Sequence, residues 1–420
     1  MLVAMDCETY LIAPGLAAPP VVCVSFFSGG DSDLLLREDA LPFLHALLDD
    51  SDVVVVGHNT RYDWVCLCNA DPTLLPKVFR AYDEGRIRCT MVREKLIQLA
   101  FGRLADDHEH GGKLRLRYSL DAVAKERLGI DIRAAKKGSD SWRLRYRELD
   151  GVPVASWPRA AREYALDDAR ITYAIYAEQT KGCIDPDAPE TPGIPDEIPQ
   201  TRSAFWLQLM GAWGIRTDIV RVNALAEQVQ ADMVRMDQIL REAGILKSRI
   251  TKGREVWSKN MLALRDRVKR VYPDNLVIPL TAQGQVATDR ETLIASGDPV
   301  LVAAGERSAA EKLLSTFIPT LLQGTQGPIC PNWSELKASG RTSCWGPNLQ
   351  QPPRKGGIRE CFVPRPRYLF AVCDYSYIEL CTLAQVCIDI FGYSVLGQAI
   401  TLGLDPHLDM AALLLGLSYE

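Results

Sequence analysis

The chain begins Met1-Leu2-Val3-Ala4-Met5-Asp6-Cys7-Glu8, and the reading of that stretch decides the fold of the first 180 residues. Residues 1–5 form a short apolar run of strand length. Side chains alternate faces along a strand, so Asp6 and Glu8, two positions apart, point the same way. Two carboxylates side by side at a strand's end repel each other unless a cation or a proton neutralises them. Surface strands carry such pairs too, so the pair gains meaning only from what the rest of the chain brings to it.

Two later segments bring further acids. Gly57-His58-Asn59-Thr60-Arg61-Tyr62-Asp63 follows the apolar run 53–56 and puts Asp63 at a strand-to-helix transition, where an ordinary first-turn helix acid also belongs. Tyr164-Ala165-Leu166-Asp167-Asp168 lies in a helical pattern that Pro158 can open and that meets no breaker before Gly182. Tyr164 and Asp168 are then i and i+4 on one face, with Asp167 turned roughly 100° away. A structural tyrosine–carboxylate contact is the plain alternative.

The surrounding pattern predicts an α/β unit over the first 180 residues. Strands are expected at residues 1–5, 21–27 and 53–56, and helices at 91–100 and 120–128. Residues 181–200 then hold Pro186, Pro189, Pro192, Pro195 and Pro199, which predicts a linker. Beyond it Ile219, Val222, Leu225, Val229, Met233, Met236 and Leu240 recur at helical steps, with Asp218 placed to cap the start and Gly244 to stop the helix. Such a helix is about 37 Å long at ~1.5 Å per residue, the length of a projecting arm or of a self-associating coiled coil. From Pro331 the chain turns basic and rich in Pro and Gly. It then offers an apolar strand over residues 368–373 that ends in Asp374.

Composition narrows the function classes. The chain has 420 residues, 47% hydrophobic and 24% charged, with a net charge of −5. That is the balance of an ordinary multi-domain globular protein, and any DNA binding needs its positive charge concentrated locally. No apolar run approaches the ~20 residues of a membrane span, so no membrane partner is expected. The N-terminus lacks the basic region of a secretory signal. Twelve cysteines without a CxxC pair, and five histidines, argue for free thiols in a reducing cytoplasm. Residues 103–147 carry 12 Lys/Arg against 7 Asp/Glu, a surplus that suits a phosphate strand or a solvated face. Trp142 and Tyr146 there could stack bases or fill a core.

Taken in order, D-x-E, N-x-x-Y-D and Y-x-x-x-D resemble the three motifs of DEDD-type 3′–5′ exonucleases, which have a ribonuclease H-like α/β fold: a mixed sheet with flanking helices. The segments Arg88-Cys89-Thr90-Met91 and Ser119-Leu120-Asp121-Ala122-Val123-Ala124 agree with it. The resemblance implies two divalent ions, Mg²⁺ or Mn²⁺. Asp6, Glu8 and Asp168 would hold the one that activates water, Asp6 would also bridge to the second, and Asp63 would contact that second ion. Tyr164 would orient the attacking water with help from Glu8. The substrate would be a single-stranded DNA 3′ end and the product a nucleoside monophosphate.

A second run is Gly340-Arg341-Thr342-Ser343-Cys344-Trp345-Gly346-Pro347-Asn348-Leu349-Gln350. It is followed by Gly357-Ile358-Arg359 and Asp374-Tyr375-Ser376-Tyr377-Ile378-Glu379-Leu380. It resembles family A DNA polymerases, most of all bacteriophage members, and Lys312-Leu313-Leu314-Ser315-Thr316-Phe317-Ile318 looks like their thumb-to-palm segment. The resemblance implies that Asp374 is one of two catalytic, Mg²⁺-binding aspartates, with Tyr375, Glu379 and His407 at the nucleotide. Arg341, Asn348, Gln350, Arg354 and Arg359 would touch primer-template duplex. Residues 336–367 hold seven Lys/Arg and one acid. Tyr377 and Cys381 depart from the Gln and Arg common in the family.

The expected division is a 3′–5′ exonuclease domain at 1–180, a linker at 181–200, a helical thumb at 201–330 and an incomplete palm at 331–420. The family's fingers helix and its H-D-E motif, with the second aspartate, would follow Glu420. The sequence as it stands is therefore expected not to polymerise. It reads as the N-terminal portion of a replicative polymerase, as a fragment or as half of a split enzyme. A C-terminal half would be its partner, and dNTP would bind only once that half is supplied. A stand-alone exonuclease with a degenerate polymerase tail, and a non-catalytic DNA-binding subunit, are the alternatives.

Overall fold

The computed structural model describes residues 1–105, 108–110, 113–115, 117–132, 141–181, 194, 196–251, 254–273, 275, 277–354 and 356–418. Packing divides the chain into two units, Met1–Val363 and Pro364–Glu420.

The first unit is built on five strands: β1 (Leu2–Thr9), β2 (Val21–Phe27), β3 (Ser32–Leu36), β4 (Val54–Gly57) and β5 (Ile87–Cys89). They form one mixed sheet in the order β3-β2-β1-β4-β5. β1 runs antiparallel to β2 and parallel to β4, so the strand carrying the acids is central. Its period of two divides it cleanly. Val3, Met5 and Cys7 enter a core with Leu44, Leu48, Trp64, Leu67 and Val78 from helices α1 (Arg37–Asp49), α2 (Thr60–Ala70) and α3 (Leu75–Asp83). Ala4, Asp6 and Glu8 therefore face the other side of the sheet.

The strand does not stop at Met5, as the apolar pattern predicts. Pairing with β4 ends at Ala4↔Val56, but pairing with β2 continues through Asp6↔Ser25 and Glu8↔Cys23. β2 supplies ladder partners for the acidic residues, whereas β4 turns away at Gly57, so the sheet opens beside them. This is the crevice at the carboxyl ends of parallel strands where open α/β sheets place their ligands.

Three more helices belong to this unit: α4 (Thr90–Ala100), α5 (Leu120–Leu128) and α6 (Arg159–Lys181). Strands β6 (His108–His110) and β7 (Lys113–Arg115) form a small hairpin. The expected linker holds a helix start: α7 (Glu197–Trp213) takes Pro199 in its first turn, where the missing N–H would be unsatisfied anyway. Pro186, Pro189, Pro192 and Pro195 lie outside the described residues. α7 is packed into the sheet unit, with Phe205 stacked on Tyr82 at 4.6 Å. A buried ion pair, Arg93 Nη1 to Glu197 Oε2 at 2.7 Å, ties it to α4.

After the short strand β8 (Arg216–Thr217) comes the long helix α8 (Ile219–Glu242), capped by Asp218 Oδ1, which accepts from the Arg221 N–H at 2.9 Å. It is not a bare arm. Leu240 joins a core with residues of strand β9 (Leu246–Thr251) and helices α9 (Met261–Val271), α10 (Arg290–Ala295) and α11 (Pro299–Lys312). Strand β10 (Arg254–Lys259) pairs with β9 as a hairpin. A π-turn at Leu313–Phe317 joins α11 to α12 (Ile318–Gln326). Strands β11 (Asn332–Ser334) and β12 (Ser343–Trp345) form a hairpin, and β13 (Phe362–Val363) pairs with β8.

The second unit holds α13 (Ile378–Phe391), α14 (Val395–Thr401) and α15 (Pro406–Leu415). The strand expected over residues 368–373 is absent. Tyr368 is 58%, Leu369 91% and Val372 91% exposed, and the segment has no regular structure. A strand is held by hydrogen bonds to a neighbour, and among the described residues of this unit there is no other strand to pair with.

Candidate active site

Asp6 and Glu8 from β1 and Asp168 from α6 converge. Each offers a carboxylate oxygen, and the three oxygens lie within 4.8 Å of one another. The close approach of α6 follows from its small inward face: Ala161, Ala165 and Ala169 are fully buried at helical spacing, with Asp168 beside them. Asp167, one residue earlier, faces outward and pairs with Arg170 at 3.0 Å.

Asp63 stands close to this trio. It is 3% exposed, and burial, followed by the charge of Asp6, pushes its carboxyl well above the usual range. Local backbone geometry sets its position. Asn59 takes a left-handed conformation, φ 60°, immediately before α2. Gly57 leaves no room for a side chain, since a Cβ there would come within 2.6 Å of Thr60 Cβ and Oγ1. The chain can thus reverse from β4 into α2 within three residues. Tyr62 Oη and Thr9 Oγ1 share a 2.8 Å hydrogen bond that ties α2 to the end of β1.

Tyr164 lies one helical turn before Asp168. Burial raises its phenol pKa, and the charges of Asp168, Glu8 and Asp6 raise it further. The hydroxyl therefore stays protonated and can donate a hydrogen bond. Tyr146 forms the wall behind it: it is 1% exposed, and its hydroxyl donates to the Ala161 carbonyl at 2.7 Å. Of the two candidate stacking residues, Tyr146 is thus core, while Trp142 is half-buried with the Arg145 guanidinium 4.6 Å from its ring centroid.

Two residues inside the quoted motif have roles that spacing alone did not assign. His58 bridges Thr90 Oγ1 (2.8 Å) and the Tyr118 carbonyl (2.9 Å), pinning the β4–α2 turn to α4 and to the segment before α5. Arg61 donates to Asn59 Oδ1 (3.0 Å) and to Glu335 Oε2 (2.7 Å).

The second set of predicted residues is dispersed. Arg341, Asn348, Gln350, Arg354 and Arg359 are exposed along the run after β11. Gln350 Nε2 donates to Thr342 Oγ1 at 2.9 Å, the Gln350 N–H donates to Asn348 Oδ1 at 3.0 Å, and Arg359 donates to the Pro352 carbonyl at 3.1 Å. A cavity of about 270 Å³ lies between this run and the α11–α12 segment, lined by Lys312, Thr316, Leu321, Asn348 and Ile358 among others.

In the second unit Asp374 and Tyr375 sit exposed on the irregular segment, and Glu379 is exposed in the first turn of α13. The His407 ring lies 5.6 Å from that of Tyr377, whose hydroxyl donates to Asp405 Oδ2 at 2.7 Å. Among the described residues Asp374 joins no group of three acids.

Three carboxylates sharing one small volume at a sheet crevice, with a buried fourth acid and a protonated phenol beside them, define the class: an acidic pocket suited to hard divalent cations. Comparison then gives the family. Residues 2–181 match the family model described as 3′–5′ exonuclease, and residues 257–420 match that of DNA polymerase family A. The chain thus carries a stretch of the 3′–5′ exonuclease type ahead of a stretch of the DNA polymerase family A type.

Similar proteins include the thermostable DNA polymerase I of Thermus thermophilus, 28% identical over 229 residues, which is 51% of this chain and 26% of the relative. DNA polymerase I of Synechocystis sp. is 27% identical over 257 residues, 58% of this chain and 25% of the relative. That of Chloroflexus aurantiacus is 38% identical over 113 residues, 25% of this chain and 12% of the relative. The chain thus spans about a quarter or less of the length of these relatives. A solved structure, the POL domain of Pol1 from M. smegmatis in complex with DNA primer-template and dNTP, shares the fold. Its TM-score is 0.59 at 19% identity, over 99% of this chain and 64% of that one. Among the described residues no helix is long and apolar enough to cross a membrane.

Proposed function

We propose that the chain is a divalent-metal-dependent 3′–5′ exonuclease acting on single-stranded DNA ends, within the N-terminal portion of a family A replicative polymerase. The observation that carries this reading is the convergence of Asp6, Glu8 and Asp168 within 4.8 Å, inside the stretch that matches the exonuclease family. The donor set fits the implied metal: three carboxylates this close need a counter-charge, and burial, with the charge of Asp6 added, raises the carboxyl of Asp63 beside them. Asp6, Glu8 and Asp168 would hold one Mg²⁺ or Mn²⁺, with Asp6 and Asp63 toward a second. When bound, such ions neutralise the charge that builds on the phosphoryl oxygens and make water a better nucleophile. Tyr164 would donate its hydroxyl hydrogen to orient the attacking water, with help from Glu8.

The test is digestion of 3′-labelled single-stranded DNA with and without Mg²⁺ or Mn²⁺. Release of nucleoside monophosphate that requires the ion and is lost in Asp6→Ala, with DNA binding kept, supports the reading. Binding without digestion by the unmodified protein would leave a DNA-binding subunit instead.

The polymerase-type residues are read the same way. Arg341, Asn348, Gln350, Arg354 and Arg359 would contact primer-template duplex. Asp374 would take a Mg²⁺, with Tyr375, Glu379 and His407 toward dNTP, alongside a partner polypeptide. The apolar surface of the second unit supports such a partner: Phe391 is 68% exposed, Leu402 77%, Leu413 76% and Leu414 78%. Its cysteines among the described residues are free, which suits a reducing cytoplasm. Primer extension on adding a candidate C-terminal half is the expected result.

A further inference from the structure

We propose that Glu335 is a positioning residue for the nuclease pocket, acting through Arg61 and Asn59 on Asp63. The proposal rests on the exonuclease reading and goes beyond it. Glu335 follows β11 and is separated by 274 residues from Arg61. Its side chain is fully buried and engaged by two cations: Arg61 Nη1 at 2.7 Å on one carboxylate oxygen and Lys95 Nζ at 2.8 Å on the other. Both cations are themselves nearly buried, with side chains 11% and 8% exposed. Buried charges are costly unless they are paired in good geometry, and removing one partner strands the others.

The consequence for the pocket runs through the guanidinium fork. While one arm of Arg61 is held by Glu335, its Nε donates to Asn59 Oδ1 at 3.0 Å. Asn59 holds the left-handed conformation that starts α2, and Asp63 lies in the first turn of that helix. Glu335 is itself fixed by the packing of its hairpin against α7, where a Cβ on Gly211 would come within 2.8 Å of the Pro331 carbonyl oxygen. The connection between the two strands of the hairpin carries Arg341, and the run after β12 carries Asn348 and Gln350. One buried carboxylate therefore joins the strand that leads to the duplex-binding segment to the helix that presents Asp63. Lys95 shares the carboxylate but reaches it from α4. That makes Lys95 the control: it contributes to burying the charge without holding Asn59.

The experiment measures amide hydrogen exchange across residues 57–66, together with steady-state digestion of single-stranded DNA, in the full chain. The variants are Glu335→Gln, Arg61→Lys, the double variant and Lys95→Met. Arg61→Lys keeps the buried charge but lacks the fork to reach Asn59 and Glu335 together. Positioning predicts that Glu335→Gln and Arg61→Lys each speed exchange at 57–66 relative to β1. Each should also lower kcat by about tenfold with KM unchanged, with no further loss in the double variant and a clearly smaller effect in Lys95→Met. Unchanged exchange at 57–66 in Glu335→Gln overturns the proposal, as does restoration of full kcat by Arg61→Lys or an equal loss in Lys95→Met. Faster exchange in a protein whose unmodified form digests no DNA would sink the exonuclease reading and leave the coupling standing.

Discussion

Asp168 and Tyr164 show how much of this site depends on single atoms. Asp168 sits buried beside the alanine face of α6, and Asp168→Asn keeps the shape while removing the charge. Digestion is expected to fall by about 10²–10³-fold, the scale on which a pre-organised electrostatic group acts. The melting temperature should rise or hold, because one of three crowded negative charges is gone. A parallel measurement of turnover and thermal unfolding checks both halves. Tyr164→Phe keeps the ring packed near Tyr146 (centroids 6.2 Å apart) and removes only the hydroxyl. A loss of about tenfold or more in kcat, without loss of DNA affinity, is expected if the phenol acts on water. Full activity would reassign it to packing.

The β4–α2 turn and the buried triad of Arg61, Lys95 and Glu335 set the geometry at the scale of elements. Gly57→Ala would drive a Cβ to 2.6 Å from Thr60, and it is expected to cost about 1–3 kcal/mol, as overpacking does, read as a shift in the urea midpoint. Burial alone would raise the Glu335 pKa, but Arg61 and Lys95 outweigh it and hold the carboxyl below its ordinary value of about 4.3. A depressed folded pKa contributes stability that is complete above the unfolded value and is lost as the pH falls through the folded one. The melting temperature of Glu335→Gln should therefore lie below that of the unmodified protein at neutral pH, with the gap closing on acidification below about pH 4. A gap independent of pH would contradict the ion-pair origin. What the sequence discloses differs element by element for the same reason. β2 and the helices at Thr90–Ala100 and Leu120–Leu128 are legible because their pattern is local. β3 and β5 are not, since each is short and becomes a strand only by pairing with β2 or β4. The acids are legible from their spacing along strand and helix. The Glu335 contact is not, because nothing local announces a partner 274 residues away.

For the whole molecule, the division at Val363/Pro364 and the irregular exposed stretch that follows make one segment the weak point. The apolar run over residues 368–373 reads as a strand in sequence, and the neighbour it would pair with is not among the described residues of its unit. Brief chymotrypsin treatment is expected to cut first after Tyr368, Leu369 or Phe370, with the nuclease activity surviving in the larger product; protection of that segment would mean that it is covered in solution. Everything functional nevertheless depends on whether the carboxylates of β1, α2 and α6 gather cations. Anomalous diffraction from crystals soaked in Mn²⁺ reads this without any assay. The expected result is density within about 2.0–2.3 Å of oxygens from Asp6, Glu8 and Asp168, absent in Asp168→Asn. Well-ordered carboxylates with no such density, or ions bound only elsewhere, would contradict it.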